Sequence, residues 1–256
     1  MSSSTWTRAA LSSSHVRLEG KAWRIVEAQH IVSTMKLVDT TSEQERLERV
    51  LERTKPAIPQ ECRRLHYLLA TPFRYFPYPV GSRFRRAGSR QGVFYASEWV
   101  ETAIAEFTFH RLLFFSESPA TPWPRNPAEL TAFSFGYRTD RATDLTASPF
   151  AQDRRWRDPA DYTACQAFCA EARAAGTELI RYASVRDAEG CHNFALLTCR
   201  AFSADKPLLY QTWHLHLNAT GAHVFCEHPR QRLGFPTDAF AQDPRILSLD
   251  WQRRGA

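Results

Sequence analysis

The chain has 256 residues, of which 43% are apolar and 23% charged, with a formal charge of +6. That length supports one core, or one core with an arm, and the balance excludes global disorder, a rod and a small disulfide scaffold. No apolar run approaches the roughly 20 residues needed to cross a bilayer, so no membrane association is expected. The first residues, Met1-Ser2-Ser3-Ser4-Thr5-Trp6-Thr7-Arg8, lack the apolar stretch of a secretory signal, and the expected location is cytoplasmic. Lysine occurs only at Lys21, Lys36, Lys55 and Lys206, so the basic residues are overwhelmingly arginine. Two causes fit: a GC-rich genome, or a need for planar forks that grip phosphates bidentately. The basic residues are spread rather than blocked, which does not by itself indicate a nucleic-acid ligand. The six cysteines, Cys62, Cys165, Cys169, Cys191, Cys199 and Cys226, form no C-x-x-C pair. They are expected to be free thiols in a reducing compartment, with no metal site.

In chain order, residues 1–20 read as a loose serine-rich tail and 22–26 as a short extended piece. Ser42 and Glu45 have capping-box spacing, which predicts a helix with Leu47, Val50 and Leu51 as its apolar stripe, stopped by Pro56 and Pro59. Residues 72–92 carry too many prolines and glycines for a long helix and must form a structured loop. A strand follows at 93–96, then a helix capped by Ser97 and running to about residue 111. Residues 119–127 read as a rigid proline-rich surface loop, 132–137 as a strand and 162–175 as a helix closed by Gly176. Four strands are expected at 179–183, 193–199, 211–217 and 223–226. Late strands with helices before and between them argue for an α+β fold.

The P-loop, G-x-S-x-G, H-E-x-x-H and G-x-G-x-x-G signatures do not occur. His214 and His216 share one face of a strand and read as a surface pair. The loop at 72–92 is the informative stretch. It mixes Arg74, Arg83, Arg85, Arg86 and Arg90 with Phe73, Tyr75, Phe76, Tyr78 and Phe84. That mixture fits a ligand with phosphates and flat rings, and equally a basic surface loop anchored by core aromatics. On the next helix, counting from Val100, Glu106 falls at about 240°, at the edge of the apolar stripe. A carboxylate there is expected to be partly desolvated. It suits holding a ribose hydroxyl, or offsetting positive charge as a glycosidic bond breaks, but is also compatible with an ordinary helix glutamate.

These residues resemble the RES domain, a family of toxins from Xre–RES toxin–antitoxin pairs. The family's Arg-Trp-(x)3-Gly segment is matched by Arg83-Phe84-Arg85-Arg86-Ala87-Gly88, with Phe84 in place of Trp. Its strand-ending tyrosine is matched by Tyr95, its Ala-x-x-Glu by Ala103-Ile104-Ala105-Glu106, and its serine by Ser184 within 181–187. An upstream arginine is best placed at Arg74. The resemblance covers 65–228, leaving 1–64 as an N-terminal tail with a helical accessory segment and 229–256 as a C-terminal extension. It implies an ADP-ribosyltransferase-like mixed core of two packed β-sheets with flanking helices. It also implies an enzyme that consumes NAD as substrate, by phosphorolysis with inorganic phosphate or by hydrolysis. Arg83, Glu106 and Ser184 would be catalytic, with Arg74 and Tyr95 completing the NAD site. An Xre-type antitoxin is the implied partner, bringing nucleic acid into contact only indirectly, and a homo-oligomer is among the implied assemblies. The alternatives are a protein ADP-ribosyltransferase with the same pocket and a non-catalytic basic nucleic-acid-binding module.

Overall fold

The structure is a computed structural model that describes residues 6–27, 38–74, 77–253 and 255. Tyr75 and Phe76 lie outside the described residues. The elements run α1 (Arg8–Ser13), β1 (Val16–Glu27), α2 (Thr41–Thr54), α3 (Tyr67–Ala70), β2 (Phe94–Ser97), α4 (Val100–Glu117) and β3 (Ala128–Asp144). They continue with α5 (Thr163–Ala174), β4 (Leu179–Ala183), β5 (His192–Leu196), β6 (Leu209–Asn218), β7 (Gly221–Cys226) and β8 (Gln231–Pro236). The tail expected at residues 1–20 is therefore structured from Arg8 onward, because Leu11 is buried against α5 and β1 pairs along β3. No helix among the described residues is long and apolar enough to cross a membrane.

The expectation of two packed sheets is corrected to one sheet that closes on itself. The strand order is β1-β2-β5-β4-β3-β6-β7-β8, and an extra β1–β3 pairing joins the first five strands into a ring. The cause is the length of β3. Its 17 residues pair with β1 over most of their length, meet β4 in parallel at 142–144, and still pair with β6 at 128–134. Strand alternation then separates the cores. Ala22, Phe94, Ala96, Phe133, Phe135, Leu179, Phe194 and Leu196 fill the ring. On the outside, Trp23, Ile25, Leu130 and Trp213 pack against α4, and Ile180, Tyr182 and Ala195 belong to the cluster holding α5.

Cys62 and Cys199 sit at the ring core and are disulfide-bonded, with Cα atoms 5.5 Å apart. This corrects the expectation of six free thiols. The partners are 137 residues apart, a pairing invisible to spacing rules, and only the fold brings their two 3-10 turns together. Cys165, Cys169, Cys191 and Cys226 are free. The segment after β7 also packs on the α4 side, with β8 pairing β7 and Phe240, Ile246 and Leu249 buried. Trp123 of the proline-rich loop is buried there too, donating to the carbonyl of Trp251 at 3.2 Å.

Candidate active site

A cavity of about 420 Å³ opens on the outer face of the ring, beside α4. That volume lies within the range of small-molecule sites. Its walls come from β1, β2, α4, the loop at 80–83, Tyr162, Tyr182, Arg186, Asn193 and Arg245.

Glu106 is half-buried in this wall. Its Oε1 accepts from the Ser184 hydroxyl at 2.7 Å and from the Asn193 amide at 2.6 Å. Asn193 is in turn fixed by the Ser97 hydroxyl, which donates to its Oδ1 at 2.6 Å. Among the described residues, Glu106 Oε2 accepts no hydrogen bond, which leaves one carboxylate oxygen available to a ligand. The expectation that Ser97 caps α4 is thereby corrected. The N-cap is Trp99, without a side-chain bond, and the Ser97 hydroxyl is spent on Asn193. Ser184 also accepts from the backbone N–H groups of Arg186 and Asp187, each at 3.2 Å, so its donor and both lone pairs are used.

Arg83 reaches the cavity from the 72–92 loop. Its Nη1 donates to the Trp156 carbonyl at 3.0 Å, and its guanidinium lies 4.6 Å from the Tyr162 ring centre. Burial alone would lower its pKa, but Cys165, Tyr182, Tyr162 and Glu106 outweigh that effect and raise it, so the group is firmly cationic. The next residue, Phe84, is a core anchor, edge-on to Tyr182 at 5.0 Å. The loop thus sends Arg83 to the cavity wall and buries its neighbour Phe84 as a core anchor. Gly88 ends the segment with φ +72°, a conformation that disfavours side chains, while its N–H bonds the Tyr78 carbonyl at 2.7 Å.

Tyr95 lines the cavity, but its hydroxyl is committed elsewhere. It accepts from the Phe84 N–H and pairs with the Ser82 hydroxyl, both at 2.9 Å, so it brackets Arg83 in the sequence. Burial pushes its pKa far above the ordinary value. The placement of Arg74 in this site is corrected. Arg74 lines a separate cavity of about 400 Å³ with Lys55 and Arg90, paired to Glu52 at 2.6 Å and bonded to the Pro56 carbonyl. Its neighbourhood is set by α2 and the 54–59 turn, whose packing against the loop has no local sequence signature.

Sequence reasoning passed over His110, Asn193, Tyr162, Tyr182, Arg186 and Arg245, all in the cavity wall. His110 had a readable signal, since i and i+4 share a helix face with Glu106. It is exposed and lines the cavity. Desolvation by the surrounding groups lowers its pKa, Glu106 opposes the effect, and Arg186, Arg245 and Arg83 reinforce it. Arg245 had no signal.

The RES domain family model matches residues 58–218, well over half of the chain. The chain belongs to the RES domain family. A comparison with curated proteins gives no match. The RES match includes Arg83, Tyr95, Glu106, Ser184 and Asn193, and it stops before β7, β8 and the segment carrying Arg245.

Proposed function

We propose that this RES domain protein cleaves the nicotinamide–ribose bond of NAD, passing the ADP-ribosyl group to phosphate or water. The observation that carries this reading is the half-buried Glu106, held through one oxygen by Ser184 and Asn193 in the cavity that Arg83 enters. The free carboxylate oxygen would meet the ribose hydroxyls and offset positive charge as the glycosidic bond loosens. Arg83 would grip the diphosphate, and the Tyr95 ring would pack on the nicotinamide side. Nicotinamide leaves from an already cationic ring, so positioning and electrostatics suffice without a covalent enzyme intermediate. An ADP-ribosyltransferase-like kinship for the closed sheet belongs to this reading. So does the biological role: a toxin acting in the cytoplasm and restrained by an Xre-type antitoxin covering the cavity mouth.

The test is purified full-length protein incubated with NAD, with and without inorganic phosphate, and assayed for free nicotinamide. Release by the wild type is expected, with Glu106→Gln slower by about a hundred- to a thousandfold. No release under either condition, or full turnover by the variant, would overturn the reading. With NAD labelled in its adenylate part, nicotinamide release accompanied by label on protein would identify protein as the acceptor.

A further inference from the structure

The family match ends at residue 218, but the cavity wall does not. Beyond β8 the chain returns to the site and inserts Asp243, whose side chain is fully buried. Its Oδ2 accepts from Arg186 Nη2 at 2.6 Å and Arg245 Nη2 at 2.7 Å, and its Oδ1 from Arg245 Nε at 3.0 Å. Both guanidinium groups also donate to the Pro159 carbonyl, at 2.6 and 2.7 Å. They share the Phe109 ring, at 3.6 and 5.5 Å from its centre. Arg245 further donates to the Tyr162 hydroxyl at 3.2 Å and stands 5.6 Å from the centre of that ring, against which Arg83 also lies at 4.6 Å.

Three guanidinium groups thus meet around Tyr162 and Phe109. Asp243 offsets one of their charges and Glu106 another, so the site keeps a net positive charge for an anion. Among the described residues, no hydrogen-bond acceptor meets Arg245 Nη1, or Nε and Nη2 of Arg83. Arg186 is 3% exposed and Arg245 29%, so of the Asp243-bound pair it is Arg245 that a ligand can reach.

We propose that Arg245 is a ligand-binding residue that, together with Arg83, holds a diphosphate across Tyr162, with Asp243 fixing the orientation of its fork. A planar guanidinium already anchored through Nε and Nη2 presents its Nη1 to a phosphate oxygen with little loss of side-chain freedom. The inference rests on the dinucleotide reading for the ligand's identity. It adds that residues outside the family-matched span complete the site.

The experiment is calorimetric titration of full-length wild type, Arg245→Gln and Arg245→Lys with inorganic pyrophosphate, and with nicotinamide riboside as a phosphate-free control. Pyrophosphate affinity should fall about tenfold to a hundredfold in Arg245→Gln and less in Arg245→Lys, which keeps the charge but loses the fork. Riboside affinity should not change. Unchanged pyrophosphate affinity in a folded Arg245→Gln protein, or no binding by the wild type, would overturn the proposal. Should the variants not fold, phenylglyoxal labelling of wild-type Arg245, read by peptide mass mapping, decides it. Protection by pyrophosphate supports the proposal, and labelling unaffected by pyrophosphate overturns it. Pyrophosphate binding requires no bond cleavage. Loss of nicotinamide release would therefore sink the reaction while leaving Arg245 as an anion ligand, and the converse result would sink Arg245 alone.

Discussion

At the residue scale, the hydroxyl of Tyr95 joins the sequence motif to the site. It ties down Ser82 and the Phe84 backbone on either side of Arg83, so it acts on ligand through that arginine. Tyr95→Phe keeps the ring and loses both bonds. The expected result is a KM for NAD raised about tenfold and a stability loss of about 1–3 kcal/mol, read from steady-state kinetics and urea unfolding. Short motifs marked Arg83, Tyr95, Glu106 and Ser184, and the structure brings the first three to one cavity while Ser184 spends its hydroxyl on Glu106. Asn193 was not legible, because its role exists only where β2 and β5 pair, with Ser97 opposite Asn193. Arg74 misled because a loop rich in arginine does not reveal which of its members turn toward one cavity.

At the scale of elements, α2 shows how close sequence reading comes and where it slips. Two overlapping capping boxes fit the pattern, and the structure uses Thr40 with Glu43, not Ser42 with Glu45. Glu43 Oε2 accepts from both the Thr40 and Asp39 N–H groups, while Ser42 already lies inside the helix with its hydroxyl 3.1 Å from that of Thr40. Thr40→Ala should therefore cost about 1 kcal/mol and Ser42→Ala less than about 0.5 kcal/mol, measured by hydrogen exchange within α2. The expected apolar stripe is not buried, since Val50 and Leu51 are exposed. In α4 the error runs the other way. One apolar face was expected, but Phe109, Leu112 and Phe115 are buried as well, because β1, β6 and the C-terminal segment surround the helix. Helix type was readable from composition and period. How many sides would be covered depended on strands distant in the chain.

At the scale of the whole molecule, the ring and the returning C-terminal segment make one body of the site. Ring closure was not legible because it depends on β3 serving three neighbours, whereas local pattern marks only that a strand is present. The buried Arg186–Asp243–Arg245 cluster fastens the C-terminal segment to the cavity wall. Burial pushes the Asp243 carboxyl up, but its bonds to Arg245 and the charges of Arg186 and Arg245 outweigh that and hold it below the ordinary aspartate range. A depressed carboxylate contributes stability above its unfolded pKa and loses it as pH falls through the folded value. Asp243→Asn should thus cost about 3–5 kcal/mol near neutral pH, because it leaves the buried Arg186 guanidinium without its counter-charge. The gap from wild type should narrow as pH drops below the ordinary carboxylate range, as followed by unfolding curves from pH 7 downward.

If one cavity holds the sugar at Glu106 and the charged linker at Arg83, a crystal of the full chain soaked with ADP-ribose should show the free-end ribose within hydrogen-bond distance of Glu106 Oε2 and the diphosphate on Arg83. ADP-ribose bound in the Arg74 cavity, or anywhere out of reach of Glu106, would contradict that arrangement.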